Sequence, residues 1–116
     1  MRYLVLIFGT TEDTWTGSDE DVAALQGLMA LKDELAASGE LVSSEGLSLP
    51  GDGRIVQVRD GVKVVTDGPF AEAKEQLAGF FMIDVPDDER AQQLAARVAA
   101  LVHDRVELRG TLISAP

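Results

Sequence analysis

The sequence predicts an α+β fold, an antiparallel sheet with two helices packed on one of its faces, in a single domain spanning residues 1–116. Three observations lead there. Helical periodicity occurs in only two stretches, and each follows a short apolar run of strand length. The segment order reads β-α-β-(β-β)-β-α-β, two β-α-β halves with a hairpin inserted between them. No linker or low-complexity segment divides the chain, and 116 residues suffice for one modest core.

The first strand is RYLVLIF (2–8), apolar at both parities: Tyr3, Val5 and Ile7 on one face, Leu4, Leu6 and Phe8 on the other. A strand of that kind is covered on both sides. Its apolar run is too short for a secretory leader or a membrane span. A polar loop containing Trp15 follows. Ser18 then reads as a helix N-cap, with Asp19, Glu20 and Asp21 in the first turn, where the helix dipole favours negative charge. Val22, Leu25, Leu28, Met29 and Leu35 form the expected apolar side, and Gly39 the C-cap.

ELVSSEGL (40–47) reads as a strand and SLPGDG (48–53) as a loop. RIVQVR (54–59) and VKVVT (62–66) flank Asp60-Gly61, a two-residue turn whose positions both tolerate positive φ. Asp67-Gly68-Pro69-Phe70 makes a second tight turn, and GFFMIDV (79–85) a further strand. Pro86 and Asp87 open the second helix, where Ala91, Leu94, Ala95, Val98, Leu101 and Val102 recur at helical spacing. RVELRGTLI (105–113) is the last strand. The arrangement that uses all of these is ferredoxin-like.

Two helices cover one face of such a sheet. Both parities of the first strand and of Phe80–Val85 are apolar, so one apolar set faces away from the helices. A patch of that size is rarely left in water. Burial gains about 25 cal/mol per Å², so a homodimer with sheets stacked face to face is expected, enclosing a barrel-like space. Gln57 or Val58, Asp84, and Glu107 or Arg109 are the polar candidates for that space, with Asp84 in phase with Phe80 and Met82.

The net charge of -10 argues against nucleic acid and against an anionic membrane surface as partners. The absence of cysteine excludes disulfides and thiolate chemistry and fits a cytoplasmic location. With one histidine and no cysteine, no metal site and no cofactor is expected.

Carboxylates are the remaining chemistry. Asp67 either opens the turn and caps the NH groups after it or serves as an oriented acid/base group. Glu72, Lys74 and Glu75 follow; on a helical turn Glu72 and Glu75 share a face, and the lysine keeps both ionised. The alternative is a solvated turn. Glu45 stands on the small, apolar strand SSEGL, either in water or pointing into the pocket of Asp67. Two carboxylates held at different pKa values are the usual basis of acid/base work. Asp67, Glu45 and Glu75 are thus the catalytic candidates. Trp15, Phe70, Glu72 and Lys74 are the ligand-binding ones, and Tyr3 a second aromatic for the pocket wall.

TDGPFAEAKEQLAGFFMIDV (66–85), SEGL (44–47), RIVQVRDGVKVVTDGPF (54–70) and VELRG (106–110) together resemble the YCII-related family, in its DGPF-domain type, over nearly the whole chain. The resemblance implies a ferredoxin-like unit pairing into a dimeric α/β barrel. It further implies kinship with small enzymes of muconolactone-isomerase type, and an association with sigma-factor regulation. Ala78 and Gly110 depart from the family pattern. His103, the only histidine, falls at the end of the second helix, so the histidine–aspartate pair suggested for one branch does not carry over. The expectation is a cofactor-independent lyase- or isomerase-like enzyme acting on a small organic acid or lactone. The alternatives are a small-molecule sensing module linked to sigma-factor regulation, or an interaction domain without a ligand.

Overall fold

A computed structural model describes residues 1–10, 16–68, 75–103 and 105–114. The elements are β1 (Arg2–Thr10), α1 (Asp19–Ser38), β2 (Leu41–Gly46), a 3-10 turn (Pro50–Asp52), β3 (Arg54–Arg59), β4 (Val62–Asp67), β5 (Glu75–Asp84), α2 (Asp88–Val102) and β6 (Val106–Gly110). Four strands form an antiparallel sheet in the order β2-β5-β1-β6, and β3-β4 form a separate two-stranded sheet. With the hairpin set aside, this is the strand order of the ferredoxin-like unit.

The core lies between the sheet and the two helices. Tyr3, Val5, Phe81 and Ile83 meet Leu31 and Leu35 of α1 and Ala91, Leu94, Ala95 and Val98 of α2. This settles which parity of β1 the helices cover. It also corrects the pocket-wall reading of Tyr3, whose ring is buried in the core.

Local chemistry accounts for the helix ends. Ser18 Oγ accepts a 3.1 Å bond from the Asp21 NH, and Gly39 turns the chain at φ 81°, donating back to the last turn of α1. Asp87 caps α2 through a 2.8 Å bond from the Arg90 NH. The helix ends at His103, which takes a left-handed conformation at φ 54°. Asp60 and Gly61 both have positive φ, as the hairpin turn requires.

Three sequence expectations need correction. Of the apolar side of α1, Leu35 is buried and Leu28 packs on the core, but Val22, Leu25 and Met29 are exposed. The last strand ends at Gly110, and Leu112 and Ile113 lie beyond it in solvent. β5 starts at Glu75 rather than Gly79, so Glu75 is in extended backbone and not on a helical turn. Among the described residues the hairpin packs chiefly on itself. The radius of gyration is 16.0 Å, against about 13 Å for a compact chain of this length.

Candidate functional site

The sheet face away from the helices is built by strand register. Leu4 lies between Met82 and Arg109, with Ser43 beyond Met82; Leu6 lies between Phe80 and Glu107, with Glu45 beyond Phe80. Two irregularities set which residues reach this face. The β1–β5 register shifts after Ile7, so that Phe8 faces Leu77 and Ala78 is left without a partner on β1. A similar shift past Val42 puts Ser43 and Glu45 in phase with Met82 and Phe80. Leu4, Leu6, Phe8, Phe80 and Met82 are half-buried and Leu77 exposed, so the face is an apolar floor that no helix among the described residues covers.

Charged groups border that floor. Glu45 stands on the edge strand β2, exposed. Glu75 lies at the start of β5 and forms an ion pair with Arg105, just before β6. Glu107 and Arg109, two apart on β6, form a second ion pair, and one Glu107 oxygen is shut off from solvent without a hydrogen bond. Burying part of a carboxylate is costly unless a cation faces it, and Arg109 does. Phe8, Glu75, Arg105, Val106 and Glu107 line an open depression of about 490 Å³.

Asp84 is in phase with Phe80 and Met82, as expected. Its carboxylate accepts a 2.9 Å bond from the Met1 ammonium. That bond, with the Met1 charge and more weakly Arg2, holds the Asp84 carboxyl below the usual aspartate range. Asp84 therefore anchors the start of β1.

Strand pairing places the three catalytic candidates on two sheets. Glu45 and Glu75 share the open face of the four-stranded sheet, whereas Asp67 is the last residue of β4, opposite Arg54 on the hairpin. The Gly68 NH donates to the Gly53 carbonyl at 2.9 Å, closing the base of that hairpin beside Asp67. Gln57 and Val58 also belong to the hairpin and not to the four-stranded sheet. Trp15, Phe70, Glu72 and Lys74 lie outside the described residues. Among the described residues, no group of three or more His, Cys, Asp or Glu is placed to hold a metal ion.

Sequence reasoning did not single out Arg105. Nothing local marks it: its place at the depression arises because β6 pairs with β1, which brings it beside Glu75, thirty residues earlier. Glu107 was recognisable only as one of two polar residues on an alternating strand.

Comparison with known proteins covers the same extent as the fold. Residues 1–109 match the YCII-related domain. The chain belongs to the YCII-related family. This YCII-related protein is also 32% identical, over 96 residues, to an uncharacterised protein of Rhizobium meliloti (strain 1021), spanning 82% of this chain and 77% of that one. Among the described residues, no helix of the YCII-related protein is long and apolar enough to cross a membrane.

Proposed function

We propose that this YCII-related protein is a small cytoplasmic enzyme of lyase or isomerase type, acting without a cofactor on a small organic acid or lactone. Two copies stack their open sheet faces and enclose the substrate. The observation that carries this reading is the apolar floor of Leu4, Leu6, Phe8, Phe80 and Met82, uncovered among the described residues and bordered by Glu45, Glu75 and Glu107 with Arg105 between the last two. Apolar walls with a few convergent polar groups are the usual make-up of a small-molecule site.

In this reading Arg105 binds the carboxylate or carbonyl oxygen of the ligand. Glu75 or Glu107 takes a proton from the carbon next to that group and returns it at a second position. Exclusion of water by the stacked faces strengthens each of these interactions.

The test is a thermal-shift screen against small carboxylic acids and lactones, followed by proton NMR of the stabilising compounds in D2O. The enzyme reading expects exchange of a carbon-bound proton, slowed at least about 100-fold in Glu75→Gln or Glu107→Gln. Stabilisation without exchange would assign a binding or sensing module instead. No stabilisation by any compound would remove both.

A further inference from the structure

The β3–β4 hairpin packs on no neighbour extensively among the described residues. A two-stranded hairpin alone in water is marginal at best. The register puts Val56 opposite Val65 and Val58 opposite Lys63, so one face of the arm carries three valines, Lys63 and, at its base, Arg54 facing Asp67. The three valines are 61%, 45% and 74% exposed for Val56, Val65 and Val58. Arg54, Arg59 and Lys63 outnumber Asp60 and Asp67 on the arm, in a chain whose net charge is -10. The open sheet face is its complement: an apolar floor, with Glu45 exposed beside Phe80 and without an ion pair among the described residues.

We infer that the arm of one copy closes over the β2 side of the open face of a second copy, with its valines against Phe80 and Met82 and Lys63 beside Glu45. The inference rests on the stacked-face reading above and adds to it. Each chamber then takes a lysine from the other chain, so the site is incomplete in a single copy. Opposite charges meeting at the margin of an apolar contact select the partner and its register. The same docking covers valines that would otherwise form an aggregation-prone exposed hairpin.

Because the chain contains no cysteine, introduced thiols report contacts directly. Lys63→Cys and Glu45→Cys chains are mixed and oxidised, and the dimer dissociation constants of Lys63→Glu and Glu45→Lys are measured by sedimentation. The expected result is a disulfide between the two different chains. Each charge reversal should raise the dissociation constant about tenfold, with recovery when the two reversed chains are mixed. A disulfide formed within one chain of the Lys63→Cys/Glu45→Cys double variant, or native dissociation constants for both reversals, overturns the inference. A stable dimer with either of those outcomes leaves the stacked faces standing. A wild-type protein that sediments as a single chain removes the faces and the arm together.

Discussion

Glu40 shows how one side chain can tie three elements together. It follows the Gly39 cap of α1 and leads into β2. Its carboxylate takes two bonds from Arg90 of α2, at 2.8 and 3.0 Å, and a third from Ser38 at 2.8 Å. Its backbone carbonyl accepts from the Asp84 NH at 2.8 Å. The Arg90 bonds, aided by Ser38, lower the Glu40 carboxyl from 4.5 to about 2. Between those two values the unfolded chain binds more protons than the folded one, so stability rises with pH through that window. The contribution is complete above pH 4.5 and is lost as pH falls through about 2. Glu40→Gln should cost on the order of 1–2 kcal/mol at neutral pH, allowing for solvent around Arg90. Thermal unfolding at pH 7 and near pH 3 checks this: the gap between wild type and variant should narrow at the lower pH. His103 is the other local case. Its left-handed conformation suits glycine, so His103→Gly should stabilise the fold by about 0.5 kcal/mol, read as a rise in Tm.

At the scale of elements, the β2–β5 contact decides where Glu45 stands. Gly79 is buried opposite Gly46, and a Cβ there would lie 2.7 Å from the Glu45 carbonyl oxygen. That atom is backbone and cannot swing away. Gly79→Ala should therefore displace β2 and cost about 1–3 kcal/mol, measurable by chemical denaturation. Loss of amide-exchange protection should concentrate on β2 rather than β6. The helices differ in how fully they are used. α2 buries its stripe along most of its length, whereas α1 extends beyond the core with Val22, Leu25 and Met29 in solvent. Asp87→Ala removes the N-cap of α2 and should cost about 1 kcal/mol, also read by denaturation.

At the scale of the whole molecule, the helices cover one face of the sheet and, among the described residues, leave the other without a covering element. An apolar floor of this kind favours association, and stacking through it is the basis of the proposed chamber. Phe80→Asp places a charge at its centre, opposite Leu6. The expected outcome is a monomer by sedimentation with the helical circular dichroism retained, because Phe80 faces away from the core. Retained dimerisation would place the contact elsewhere.

The sequence by itself determined the element order, both caps of α1, the hairpin turn and the α2 stripe, because each depends on neighbours within a turn or two. The DGPF signature was likewise legible as a local string. The tertiary structure decided which parity of β1 meets the helices, since both are apolar and only packing distinguishes them. It decided that the hairpin forms a sheet of its own, with Asp67 opposite Arg54, while Glu45 and Glu75 belong to the four-stranded sheet. The bulge at Ala78 and the pairing of β6 with β1 put Leu77, Glu75 and Arg105 where they are. Register and long-range pairing act between residues far apart in the chain, and local periodicity carries no record of them.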